Sequence, residues 1–252
     1  MKRSNSGQTG PGALTTTTRR DLVVWVDHAR RQHVENATPA LVHRNIVEAR
    51  RIRTGYQYKA QRNYHGLYAF GQTGQHIWYE SLFEMTALMA LDFTAGITAI
   101  ASQPMMMQFA DGTVHYPDLF AIHTDGRQVV YDVRPEKLIK PKTQAQFAET
   151  KRLCDKVGWA YELFTRIDPL VKANMEWLIG YRHPRYQPNE ATQALVLAAA
   201  DPGARFRDLV HVADRDSPAR GAMTVYNLLW HHLLTFDMTA QLTTYTTITK
   251  GH

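Results

Sequence analysis

The sequence predicts a mixed α/β fold, a central sheet flanked by helices, followed by a small helical C-terminal region. Three observations carry this. Short apolar runs of strand length lie between longer segments with helical spacing, so that helix, strands, helix and strand follow one another from residue 77 to 165. The dipeptides Asp111-Gly112 and Asp125-Gly126 are hairpin-turn signals between those runs. After the Pro- and Tyr-rich stretch Tyr181–Pro188, apolar residues fall mainly at helical spacing.

The bulk numbers bound the function. The chain has 252 residues, is 44% hydrophobic, and carries a formal net charge of +6 with a sequence pI near 9.4. That size supports one large core or two modest ones, and the basic balance favours a polyanionic partner. A single cysteine, Cys154, excludes an intrachain disulfide framework and a Cys-rich zinc site. Lys2 and Arg3 are not followed by the apolar run of a signal peptide, and no apolar stretch has transmembrane length. The expected location is the cytoplasm.

Taken in order, residues 1–20 are Ser, Gly, Thr and basic residues with little to bury, which predicts a disordered tail. A first domain is expected over 21–181. Leu22–Val26 reads as a strand. Thr38-Pro39 then opens a predicted helix, with Thr38 as N-cap and Pro39 at the first helical position. This helix and its exit carry Arg44, Arg50, Arg51, Arg53, Lys59 and Arg62, interleaved with Tyr56, Tyr58 and Tyr64. Such a surface suits phosphate contacts with stacking aromatics, and equally an ordinary solvated face. Ile77–Phe93 reads as a helix on which Glu80 and Glu84, four apart, share a face. Candidate strands follow at Ile97–Gln103, Met105–Phe109, Val114–Ile122 and Gln128–Val133. Lys142–Val157 reads as a helix closed by Gly158, and Tyr161–Thr165 as a strand. Asp168-Pro169 caps a helix running to about Tyr181. A second domain is expected over 182–252: helices at Asn189–Ala200, Phe206–Ala213 and Ser217–Leu234, then one or two strands in Met238–Thr249. Three helices with a small β element resemble a winged helix, a shape used for DNA binding and for protein docking alike.

The chemistry concentrates on one predicted hairpin. Asp118 and Asp132 sit where two short strands adjoin across the turn Thr124-Asp125-Gly126-Arg127. Arg134 alternates with Asp132 and so shares its side. Phosphodiester cleavage gathers negative charge on attacking and leaving oxygens, which Mg²⁺ ions stabilise. Mg²⁺ takes hard oxygen ligands, here Asp118, Asp132, Glu84 brought from the helix, and the Val133 carbonyl. Arg134 suits a phosphate or its transition state, but it is a poor general base because it stays protonated. Asp-x(13)-Asp-x-Arg is weak evidence alone, since aspartates at strand ends beside turns are commonly structural. The histidines, His115, His123, His183 and the adjacent His231-His232 among them, lack zinc-type spacing. Cys154 reads as a small buried hydrophobe.

Five motifs then fall in a recognisable order: Glu80-Ser81-Leu82-Phe83-Glu84, Leu91-Asp92-Phe93, Ser102-Gln103-Pro104, Pro117-Asp118 and Asp132-Val133-Arg134-Pro135. Over about residues 60–165 the chain resembles TnsA-like endonuclease subunits of heteromeric transposases. The resemblance implies a restriction-endonuclease-like PD-(D/E)xK core, with Glu84, Asp118 and Asp132 holding Mg²⁺ (Mn²⁺ substituting) and position 134 supplying the catalytic cation. The best-known members carry glutamine at the position of Asp132 and lysine at that of Arg134. The resemblance further implies double-stranded DNA as substrate, nicked on the 5′ strands at transposon ends. It implies a DDE-type transposase subunit as partner and an ATP-dependent regulator docking on the C-terminal domain. Two alternatives stand beside it: a non-catalytic DNA-binding or assembly subunit of the same fold, and a stand-alone restriction or repair nuclease.

Overall fold

A computed structural model of the chain describes residues 20–52 and 64–251. The expected tail, apart from Arg20, and the positions Arg53, Tyr56, Tyr58, Lys59 and Arg62 lie outside the described residues.

The chain opens with the antiparallel pair β1 (Leu22–Val26) and β2 (Gln32–Asn36). The helix expected from Thr38 is replaced by two 3₁₀ turns, Pro39–His43 and Ile46–Glu48. The Thr38-Pro39 start signal is present, but the Thr38 side chain caps nothing, and the backbone at Arg44 is already extended. Arg50 instead forms an antiparallel bridge with Val26, its N–H donating to the Val26 carbonyl at 2.8 Å. Next come β3 (Gly66–Phe70) and β4 (Gln75–Tyr79), an antiparallel hairpin. The expected helix over Ile77–Phe93 therefore loses its first turn: α1 spans Leu82–Thr94, because Ile77–Tyr79 pair with Gly66–Tyr68. Glu80 lies ahead of α1 and does not share a helical face with Glu84.

Two four-stranded sheets form the centre. β5 (Ile97–Ser102) passes through Gln103, at φ 46°, into β6 (Met105–Gln108). The run read as one strand from Val114 to Ile122 is two: β7 (Val114–His115) and β8 (Leu119–His123), broken at Tyr116-Pro117-Asp118. β9 (Gln128–Val133) completes the predicted hairpin with β8. Each break carries the chain from one sheet to the other. The orders are β2-β1-β6-β7 and, after helix α2 (Pro141–Val157), β10 (Ala160–Phe164)-β9-β8-β5, with β10 parallel to β9 and the other neighbours antiparallel.

At its central strands β8 and β9 the second sheet is buried on both faces. On one, Phe120 and Val130 meet Leu153, Cys154 and Val157 of α2 and Val23, Trp25, Met105 and Met107 of the first sheet. On the other, Leu119, Val129 and Tyr131 join a core with Ala87, Leu88 and Met89 of α1 and Met175 and Leu178 of α3 (Pro169–Leu178). The coarse prediction of a mixed α/β architecture with a central sheet flanked by helices describes this arrangement. Gly158 ends α2 in the left-handed region at φ 97°, and the Asp168 carboxylate caps α3 by accepting from the Leu170 and Val171 N–H groups, as their positions predict.

The C-terminal part contains α4 (Glu190–Ala199), β11 (Ala204–Arg205), α5 (Phe206–Ala213), α6 (Pro218–Trp230), β12 (Leu234–Thr235) and β13 (Thr247–Lys250). The three strands form a sheet in the order β11-β13-β12. Val196, Phe206, Val225, Leu228 and Ile248 belong to the same hydrophobic cluster as Leu88 and Tyr131, so one core runs across residues 181 and 182. Arg182, inside the segment read as a linker, donates to Asp92 at 3.0 Å and to the Tyr68 hydroxyl at 2.9 Å. Among the described residues no helix is long and apolar enough to cross a membrane.

Candidate active site

The β8–β9 hairpin ends in a cleft of about 600 Å³. Its walls include Glu80, Glu84, Asp118, Asp132, Val133 and Arg134, together with His115, Thr143 and Gln146. All five residues expected to carry the chemistry, Glu84, Asp118, Asp132, Val133 and Arg134, thus reach one cavity.

Register places the aspartates. Leu119 pairs with Tyr131, so Asp118 stands at the end of β8 beside the last residues of β9. Its Oδ2 accepts from the Val133 N–H at 2.7 Å, and its carbonyl accepts from the Gln103 N–H at 3.0 Å. The carboxylate is thereby tied to β9, and the backbone behind it to the β5–β6 junction.

Asp132 is only 2% exposed. An ionised carboxylate so deep needs donors, or its charge is left without the hydration it had in water. Two side chains supply them. The Tyr161 hydroxyl on β10 donates to Oδ2 at 2.5 Å, and Nε2 of His115 on β7 lies 2.9 and 2.8 Å from the two oxygens. A carboxylate only accepts, so Nε2 carries the proton. Burial, with the Asp132 charge beside it, pushes the Tyr161 phenol far above its ordinary range, so it remains a donor. Cys154 is fully buried in the same region, its thiol pushed up first by burial and then by Asp132. It is a core residue, as its sequence setting predicts.

His115 and Tyr161 are the partners of Asp132 that sequence reasoning misses. His115 has no ligand-type spacing, and nothing local shows that its strand belongs to the other sheet. Tyr161 is legible only as a strand residue. Its place beside Asp132 depends on β10 lying parallel to β9, with Leu163 paired to Asp132.

Glu84 has a local task. Ser81 is the N-cap of α1: its Oγ accepts from the Glu84 N–H at 3.2 Å and donates to Glu84 Oε1 at 3.0 Å. Oε2 of Glu84 accepts from the Glu80 N–H at 2.7 Å. The sequence signal for this role is the Ser-x-x-Glu spacing of a capping box inside the motif Glu80–Glu84, with Glu84 reaching the Glu80 N–H and the Ser81 hydroxyl.

Arg134 follows the last residue of β9. Its N–H donates to the Phe164 carbonyl at 3.0 Å, and its exposed side chain lines the cleft with Asp132, as strand alternation predicts.

Of the residues expected to form a basic face, Arg44, Arg50 and Arg51 are among the described ones. Arg44 pairs with Glu35 at 3.0 Å, on the β2 side. Arg50 is exposed beside β1. Arg51 stacks 4.5 Å over the Trp78 ring and lies 3.8 Å from Glu80. These three are carried by 3₁₀ turns and extended backbone rather than by one continuous helix.

The donor set can be compared with what Mg²⁺ requires. Carboxylate and carbonyl oxygens on one cleft are the hard ligands that ion prefers. Among the described residues, however, no three His, Cys, Asp or Glu side chains stand close enough together to hold a metal as they are. Asp118, Asp132 and Val133 line that one cleft, and carboxylate and carbonyl oxygens suit such an ion in chemistry. Glu84 would join them at the cost of its bonds from the Glu80 N–H and the Ser81 hydroxyl. No protein-family model and no curated protein matches this chain.

Proposed function

We propose that the chain is a divalent-metal-dependent DNA endonuclease, the TnsA-like subunit of a heteromeric transposase that nicks the 5′ strands at transposon ends. The observation that carries this reading is that Glu84, Asp118, Asp132 and Arg134, drawn from α1 and the β8–β9 hairpin, line a single cleft. The order of the five sequence motifs adds to it, as does the C-terminal set of three helices and a three-stranded sheet, which has the elements of a winged helix.

When bound, Mg²⁺ or Mn²⁺ supplies charge stabilisation at the scissile phosphate and lowers the pKa of a bound water. Asp118 and Asp132 would hold it with the Val133 carbonyl. The protein's own contribution is orientation. Tyr161 and His115 fix the carboxylate of Asp132, while the Val133 N–H fixes that of Asp118. Arg134 stands at the cleft as a cation for the phosphate, and it takes no proton from water because its guanidinium stays charged. A DDE-type transposase would cut the other strand. An ATP-dependent regulator would dock on the C-terminal helices.

Incubation of the purified chain, alone and with the transposase, with end-labelled transposon-end DNA in Mg²⁺ or Mn²⁺ tests this. Metal-dependent nicking is expected. Asp118→Ala and Asp132→Ala each lose about 10²-fold or more, the scale of removing one electrostatic stabiliser, and Arg134→Lys retains activity. Full cleavage by either aspartate variant would overturn the site.

A second reading is a DNA-binding or assembly subunit without catalysis. It is favoured by the engagement of Glu84 in its capping box and by the lack of a ready three-group metal cluster among the described residues. It calls for DNA binding indifferent to Mg²⁺ and no nicking by the complete complex. A stand-alone restriction or repair nuclease would instead cut DNA lacking transposon ends without a partner.

A further inference from the structure

We propose that the head of α2 and the loop leading into it grip the phosphate backbone of duplex DNA, through Arg134, Lys137, Lys140 and Lys142. This rests on the nuclease reading above and assigns it a DNA contact at residues outside the basic segment 44–62.

Shape is the first observation. The carboxylate cleft does not end at α2: a second cavity of about 630 Å³ shares Val114, Thr143 and Gln146 with it and extends to Gly112 and Thr113 in the β6–β7 turn. Together they make a groove past Asp118 and Asp132, suited to a linear polymer rather than a small molecule. Lys142 lines the second cavity, and Arg134 lines the first.

Charge is the second. Between residues 134 and 148 there are four cations and one acid, Glu136. The four cations are exposed and make no ion pair with the described residues. The cations in the second half of α2 are different. Lys151 pairs with Asp155, Arg152 with Asp21 and Glu149, and Lys156 with Asp21. The same helix thus neutralises its tail within the fold and leaves its head for something outside. Of the acids at the far end of the groove, Glu149 is held by Arg152, and Asp111 accepts from Thr113.

The third observation is that these lysines oppose their own helix. α2 has Lys140 as N-cap with no side-chain capping bond, Lys142 in its first turn, and no acid there. The helix macrodipole places partial positive charge at that end, so lysines there are unfavourable and an anion is favoured. Cations that weaken a helix start, flank a groove and make no ion pair with the described residues suit a phosphate chain. In the segment 44–51, by contrast, Arg44 and Arg51 are already engaged by Glu35, Glu80 and Trp78, and Arg50 is the exposed one.

The test is equilibrium binding of a fluorescent duplex to the full chain, in EDTA, across a range of salt concentrations. Wild type is expected to show a steep fall of log K with log salt. In Lys137→Ala/Lys140→Ala/Lys142→Ala that slope becomes shallower by about 2 to 3, at ~0.9 for each phosphate no longer neutralised. The weakening is similar for every duplex sequence, and the variant melts no lower than wild type. Lys→Arg at the same three positions keeps the slope, as does Arg44→Ala/Arg51→Ala. A wild-type slope in the triple alanine variant, or the weakening appearing in Arg44→Ala/Arg51→Ala instead, overturns the grip while leaving the nuclease reading intact. No salt-sensitive binding by wild type to any duplex overturns both.

Discussion

Asp132 shows how much one side chain here depends on its surroundings. Its carboxylate is buried near Cys154 and the α2 core, yet Tyr161 and His115 reach it from two strands in two different sheets. The sequence places Asp132 at the end of an apolar strand beside a turn partner, Asp118, and that much is legible. Its donors are not, because a residue's cross-strand neighbours follow from sheet order, which local pattern does not encode. A second buried aspartate has a structural role that pH exposes. Asp21 accepts from Arg152, Lys156 and the Ala110 N–H. The Arg152 hydrogen bond, opposed by burial and aided by Lys156, holds its carboxyl well below the usual carboxylate range. A depressed folded-state pKa stabilises the fold above the unfolded value of about 3.9 and loses that effect as pH falls through the folded value. Asp21→Asn is therefore expected to lower unfolding free energy by about 2 kcal/mol near neutral pH. The difference from wild type should shrink below about pH 4. Urea titrations at several pH values measure it.

At the scale of elements, strands with strong apolar runs and hairpin turns are legible, and the segments that need a distant partner are not. β8 and β9 follow from Leu119–Ile122 and Gln128–Val133 on either side of Asp125-Gly126, with Gly126 at φ 82° as that turn demands. Ile77–Tyr79 reads as helix because it precedes one. Its pairing with β3 is hidden, since β3 has little polar alternation of its own. Thr38-Pro39 signals a helix that tertiary pairing of Arg50 with Val26 replaces. The start of α1 carries a test that separates structure from chemistry. Glutamine serves the capping box as glutamate does, but it is a poorer ligand for Mg²⁺. Glu84→Gln should keep thermal stability close to wild type. Ser81→Ala should lose about 1 kcal/mol, as a removed N-cap does. If Glu84→Gln also abolishes metal-dependent nicking, the residue has both roles. Unchanged nicking would leave it a structural role.

Over the whole molecule, two cores sandwich the second sheet, and one of them continues into the C-terminal helices. Composition divides the chain near Tyr181. The packing crosses that line through the shared hydrophobic cluster and through Arg182 on Asp92 and Tyr68. A tight joint in the C-terminal part lies between α5 and α6, where a Cβ on Gly221 would lie 2.2 Å from the Val210 carbonyl oxygen. Gly221→Ala should cost about 3 kcal/mol, at the upper end for overpacking. Because the core is continuous, tryptophan fluorescence and far-UV dichroism should report one coincident transition in that variant as in wild type. In the cleft, Asp118 and Asp132 are proposed to hold a divalent ion. Calorimetric titration of Mn²⁺ into the DNA-free protein tests it without the partner subunit or the DNA end sequence. Saturable binding is expected, weakened about 10-fold or more in both Asp118→Asn and Asp132→Asn, since each removes a charged ligand. Isotherms that are the same in all three proteins, or no binding by wild type, would contradict it.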